Sequence, residues 1–158
     1  MAEFEDVGEE IGPDAPGPGY RVLIVDDEPP VLQLIEELLR LSGYKSLAIR
    51  SPVEALQKAR MQIFDALVLD LYMPEMSGML LHAKLRVFDP ELASRTVFIS
   101  GYIARDELRN HLSANPTFLE KPFKTGALLR MLAGVLPPTP RQGRAHRQDT
   151  RPPSLEKG

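Results

Sequence analysis

Asp70 closes an apolar run, Phe64-Asp65-Ala66-Leu67-Val68-Leu69-Asp70, and a second run, Val22-Leu23-Ile24-Val25, ends in the acidic cluster Asp26-Asp27-Glu28. If the two runs are neighbouring strands of a parallel sheet, their carboxylates meet at one carboxyl edge. Open α/β sheets bind ligands at that edge, where strand order reverses. Such a cluster calls for a divalent cation. Thr96-Val97-Phe98-Ile99 delivers Ser100 to the same edge, followed by Gly101, whose missing side chain leaves space above the site. Thr117-Phe118-Leu119-Glu120 delivers Lys121, followed by Pro122. An acceptor carboxylate, an acidic pair, a hydroxyl and an amine together are what phosphoryl transfer to an Asp requires.

The parts have separate tasks. A carboxylate attacking phosphorus brings negative charge towards a group already negative, so Mg²⁺ is needed to neutralise both, while the protein supplies position and electrostatics. Mg²⁺ keeps several waters and takes one or two carboxylates. Asp26 and Asp27 are expected to hold it directly or through water, with Asp70 and the backbone carbonyl of Tyr72 completing the protein ligands. Lys121 is expected to pair with Asp70 at rest and with a phosphoryl oxygen afterwards, and Ser100 to donate to another oxygen.

The elements that must position these groups follow from pattern. Apolar runs near 21–26, 44–49, 64–70, 95–100 and 117–120 predict five strands. Between them, Val31, Leu34, Ile35, Leu38 and Leu39 recur at helical spacing after Pro29-Pro30, and Gly43 is a stop signal. Ser51-Pro52 opens a second helix with a cap residue and a first-turn proline. Residues 76–88, 103–112 and 125–136 supply three more. Strict alternation of strand and helix predicts an α/β fold, a doubly wound parallel sheet covered on both faces.

Composition bounds the rest. A chain of 158 residues, 43% hydrophobic, suits one domain with a real core. With no Cys, a thiolate metal site is impossible and any metal is held by oxygen or imidazole. No apolar stretch approaches the roughly 20 residues of a membrane span, and there is no signal-peptide layout, so a cytoplasmic protein is expected. The net charge of −3 hides a polarity: residues 1–19 carry Glu3, Glu5, Asp6, Glu9, Glu10 and Asp14 without Lys or Arg. After Leu136 come five prolines with Arg141, Arg144, Arg147, Arg151 and Lys157. Both stretches read as disordered tails, residues 1–19 acidic and 137–158 rich in Pro and Arg, around a folded domain of residues 20–136.

Four motifs, Val25-Asp26-Asp27-Glu28, Asp70-Leu71-Tyr72-Met73-Pro74-Glu75-Met76-Ser77-Gly78, Ser100-Gly101-Tyr102 and Phe118-Leu119-Glu120-Lys121-Pro122-Phe123, resemble the receiver domain of two-component response regulators over about 115 residues. The resemblance implies a flavodoxin-like sheet in the order 2-1-3-4-5 and phosphorylation of Asp70 by a partner's phosphohistidine. It also implies that Ser100 moves towards the phosphoryl group and Phe118 turns inward. The surface of the helix expected at 103–112, the fifth strand and the last helix would then change shape. The Lys121-Pro122 bond would be cis. Tyr72 and Tyr102 stand where the family lines the approach of hydrolytic water, which implies a long-lived phosphoryl group. Residues 100–123 also look like receivers attached to hybrid histidine kinases.

Taken singly, each motif has a plainer reading: Asp-Asp-Glu as a helix cap, Asp70 as a turn former, Phe118 as core. Independent turn formers have no reason to gather at one edge with complementary charges. A metal-dependent phosphatase of the haloacid dehalogenase type would want a second Asp at the position of Tyr72 and a cap domain. A receiver-like scaffold that is never phosphorylated typically lacks one of the five site residues, and all five stand here. The roughly 22 residues after Leu136 are too few for a DNA-binding module, so the expected output is protein contact. The expected partners are a histidine kinase or histidine phosphotransfer protein upstream, and a protein target or a phosphorylation-dependent homodimer downstream.

Overall fold

The computed structural model describes residues 19–101 and 116–141. Its elements run β1 (Arg21–Val25), α1 (Pro29–Leu41), β2 (Lys45–Ile49), α2 (Pro52–Met61), β3 (Ala66–Asp70), α3 (Gly78–Phe88), α4 (Pro90–Ser94), β4 (Thr96–Ser100), β5 (Thr117–Glu120) and α5 (Thr125–Val135). The strands form one parallel sheet in the order β2-β1-β3-β4-β5. The five strands match expectation within two residues at each end. The helix expected at 103–112 and the side chain of Tyr102 lie outside the described residues. Helix α4 was not anticipated: at five residues it is too short to show a period, and its signal is the Asp89-Pro90 pair, where Asp89 Oδ1 accepts from the Leu92 N–H at 3.1 Å.

Alternation along the central strands splits the interior in two. Leu23, Val25, Leu67, Leu69 and Phe98 face one side, with Ala55, Ala59, Leu81, Leu85 and Leu92 of α2, α3 and α4. Val22, Ile24, Ala66, Val68, Val97 and Ile99 face the other, with Leu32, Ile35, Leu39, Leu128 and Leu132 of α1 and α5. Strands buried on both faces must read as unbroken apolar runs, as β1, β3 and β4 do. Each fully buried Leu or Ile stabilises the fold by about 2 kcal/mol. Among the described residues no helix is long and apolar enough to cross a membrane.

The folded unit runs past the expected boundary at Leu136. Pro137 is buried and its carbonyl accepts from the Tyr20 hydroxyl at 2.7 Å. Arg141, expected in a disordered tail, is pinned at the amino edge of the sheet by Asp65 and Asp89. The composition of this stretch, poor in apolar residues, concealed contacts that are polar and distant in sequence.

Candidate functional site

The carboxyl edge brings the expected residues together. Parallel pairing aligns Val25 with Leu69 and Ser100 with Glu120, so the strand ends carry Asp26, Asp70, Ser100 and Lys121 to one rim. Asp26, Asp70 and Ser100 are buried, at 0%, 3% and 1% exposure, a placement that charged groups accept only with partners. Asp26 Oδ1 accepts from the Glu28 N–H at 2.9 Å, and Asp70 Oδ1 from the Tyr72 N–H at 3.4 Å. Lys121 N–H donates to the Ser100 carbonyl at 2.7 Å, and the Lys121-Pro122 peptide is cis, as expected.

Lys121 differs from expectation in its first partner. Its Nζ lies 2.8 Å from Asp26 Oδ2, 3.6 Å from Asp70 Oδ2 and 3.8 Å from Glu28 Oε2. The Asp26 carboxylate is the more deeply buried, and its Oδ2 has no well-directed hydrogen bond from any donor among the described residues, so the ammonium settles there. Burial works against the Lys121 charge, but Asp26, Asp70 and Glu28 outweigh it and hold its pKa above the ordinary value. Burial pushes the Asp70 carboxyl up to about 7; the Asp26 charge adds to the rise, and Lys121 and the Tyr72 N–H oppose it.

The donor set fits a hard cation. Asp26, Asp27 and Asp70 each offer one carboxylate oxygen, and the three oxygens lie within 4.8 Å of one another. The ligands are all oxygen, the charge is in excess of what one ammonium neutralises, and Asp26 Oδ2 is a buried anionic oxygen without a directed donor.

Around the rim, Tyr72 follows β3 by two residues and is 42% exposed. Phe118 is half-buried against the cluster that contains Phe98, its register partner on β4. Among the described residues nothing demands Gly101 by space: a Cβ there would meet only Lys121 Cβ, at 4.0 Å. Gly78 is demanded. A Cβ at that position would fall 2.1 Å from the Asp70 carbonyl oxygen, because the first turn of α3 sits directly on the Asp70 backbone. Its N–H donates to the Leu71 carbonyl at 2.8 Å, and the Ser77 hydroxyl caps the helix by accepting from the Leu80 N–H at 3.1 Å. The motif Asp70–Gly78 contains this glycine, but the close approach that requires it is a matter of tertiary packing.

A doubly wound α/β domain with an acidic cleft and the Lys121 ammonium at its carboxyl edge is thereby defined. The chain belongs to the response regulator receiver domain family, whose model matches residues 22–133. It is 33% identical over 117 residues to the transcriptional regulatory protein PrrA of Mycobacterium tuberculosis, covering 73% of this chain and 49% of that protein. It is 29% identical over 118 residues to the sensory/regulatory protein RpfC of Xanthomonas campestris, covering 73% of this chain and 16% of that one. The chain thus spans about half the length of the mycobacterial regulators it matches. Among solved structures, Vibrio cholerae chemotaxis protein CheY4 is similar at 27% identity and a TM-score of 0.67, covering 74% of this chain and 98% of that chain. Response regulator TrrA of Thermotoga maritima, solved in complex with Mg²⁺ and BeF, is similar at 25% identity and a TM-score of 0.67, covering 75% and 100%.

Proposed function

We propose that this receiver is a phosphoacceptor switch in which Asp70 takes a phosphoryl group from a phosphohistidine of a histidine kinase or phosphotransfer protein. The observation that carries the reading is the convergence of Asp26, Asp27, Asp70 and Lys121 on one rim, with the three carboxylate oxygens within 4.8 Å. A carboxylate oxygen of Asp70 attacks phosphorus, forming a P–O bond as the P–N bond breaks; the electron pair returns to the imidazole, which takes its proton from solvent. Mg²⁺, held by Asp26, Asp27, Asp70 and the Tyr72 carbonyl, supplies charge neutralisation when bound. Asp26 keeps Lys121 within reach, and the ammonium shifts to a phosphoryl oxygen as charge accumulates there. The Ser100 hydroxyl donates to another oxygen, and Tyr72 screens the new acyl phosphate from water.

The output surface includes β5 and α5, and it binds a protein target, a second copy or a relay histidine. The role of the chain is thus to accept and report a phosphoryl group. The test is incubation with acetyl phosphate and Mg²⁺, read by intact mass. A gain of about 80 Da that EDTA prevents supports the reading. No gain, with beryllofluoride also failing to bind, favours an unphosphorylated scaffold.

Ser100→Ala separates the chemistry from the report. The variant is expected to take up the phosphoryl group, with the rate changed less than about tenfold, while losing the spectral change of β5 residues on phosphorylation. Heteronuclear NMR with and without acetyl phosphate checks this; wild-type-like shifts of Phe118 in the variant would remove Ser100 from the switch.

A further inference from the structure

The amino edge of the sheet, opposite the acidic cleft, carries a second constellation. The Arg141 guanidinium donates from Nη1 to the Phe64 carbonyl at 2.7 Å and to Asp89 Oδ2 at 3.1 Å, and from Nη2 to Asp89 Oδ1 at 3.0 Å. Its Nε lies 3.2 Å from Glu91 Oε2, and its backbone N–H donates to Asp65 Oδ1 at 2.6 Å. Asp65 is 1% exposed, and its other oxygen accepts from the Arg21 N–H at 2.8 Å. Two parallel bonds to one carboxylate, a bond to a carbonyl and a contact at Nε match the planar fork of a guanidinium and cannot be reproduced by an ammonium.

The other ends of these contacts are fixed without Arg141. Asp89 caps α4 through the Leu92 N–H, Glu91 is paired with Arg95, and Phe64 is fully buried. The cleft is therefore preformed by the body of the domain, and residues 137–141 fill it as a short strap. Pro137, Pro138 and Pro140 each fix one backbone dihedral of the strap, which bends at Pro138 and Thr139, and this lowers the entropy lost on docking.

We propose that the amino edge is an arginine-recognition pocket, latched in cis by Arg141, and that it accepts an arginine on a proline-preceded segment from another molecule when Arg141 is withdrawn. The cis occupant has the advantage of effective concentration, so the pocket is closed to others while the strap is down. Salt weakens the latch less than it would a surface ion pair, since the Arg141 side chain is only 14% exposed.

The test uses the full-length chain carrying Arg141→Ala, titrated with the amidated peptide Pro-Pro-Thr-Pro-Arg that copies residues 137–141. Saturating peptide is expected to raise the melting temperature of the variant by about 5 °C and to shift the amide signals of Asp65, Asp89 and Glu91. A peptide ending in Lys should bind at least about tenfold more weakly, and the wild-type chain should not respond. A folded variant that ignores the peptide, or that responds equally to the Lys peptide, overturns the proposal. Should the variant fail to fold, trypsin on the native wild-type chain decides. The bond after Arg141 should be cut at least about tenfold more slowly than in a free peptide of residues 137–144, and equal rates overturn the latch.

Discussion

The Asp70→Asn chain is expected to gain no phosphoryl mass from acetyl phosphate and Mg²⁺ under conditions in which the wild type gains about 80 Da. The substitution is nearly isosteric, so the fold and the Tyr72 contact survive, but a neutral amide oxygen is a poor nucleophile towards phosphorus and one of the three metal-facing carboxylates is gone. Labelling of the variant at Asp26 or Asp27, located by peptide mapping, would mean that the acceptor is misassigned. A second readout needs no donor. With no cation bound, burial and the charge of Asp26 raise the Asp70 carboxyl to about 7, so its ionisation opposes folding. Stability is then fully present below the ordinary carboxylate range and falls as pH rises through about 7. In EDTA at pH 8 the Asn variant should be more stable than wild type by about 2–4 kcal/mol, a gain that shrinks as pH falls towards 4. Saturating Mg²⁺ should narrow the gap at pH 8, because it stabilises the wild type more than the variant.

Gly78→Ala should be among the most damaging single-methyl additions in the chain. The new Cβ would lie 2.1 Å from the Asp70 carbonyl oxygen and 2.9 Å from the Asp70 carbonyl carbon and Leu71 Cα. All three are backbone atoms, so no side chain can swing aside. Alanine's better helix propensity returns less than about 1 kcal/mol, against an overpacking cost of about 3 kcal/mol or more. The expected loss is about 10 °C in melting temperature. Whatever relief the chain finds must move α3 or the acceptor's backbone, so phosphoryl uptake should fall with stability. Denaturant unfolding and intact-mass labelling of the same sample check both, and an unperturbed midpoint would show that α3 slides away freely. Gly134→Ala is the control, since nothing lies within 4 Å of its added Cβ.

The site was legible because its residues sit at the ends of patterned elements. Apolar runs announce strands, parallel strands end at one edge, and whatever follows each run is delivered there, which placed Asp26, Asp70, Ser100 and Lys121 without coordinates. The partner of Lys121 was not legible, because it turns on which of two buried carboxylates lies closer to the ammonium, 2.8 Å for Asp26 against 3.6 Å for Asp70. Helix α4 escaped because five residues carry no period. The strap escaped for a different reason: Arg141 meets Asp65 and Asp89 at separations of 76 and 52 positions, and its own neighbourhood is proline and arginine, which read as solvent-loving chain.

The sheet that separates the two apolar clusters also divides the molecule into compartments that tolerate change independently. Leu39 and Leu132 share no cluster with Leu85 and Leu92, so losses on the two sides should sum to within about 0.5 kcal/mol. Substitutions on the α1 and α5 exterior can therefore create a new contact while the α2, α3 and α4 side, which seats the Asp70 backbone through Gly78, stays as it is. The divided interior makes the domain a device whose chemistry and whose acquaintances can be altered one without the other.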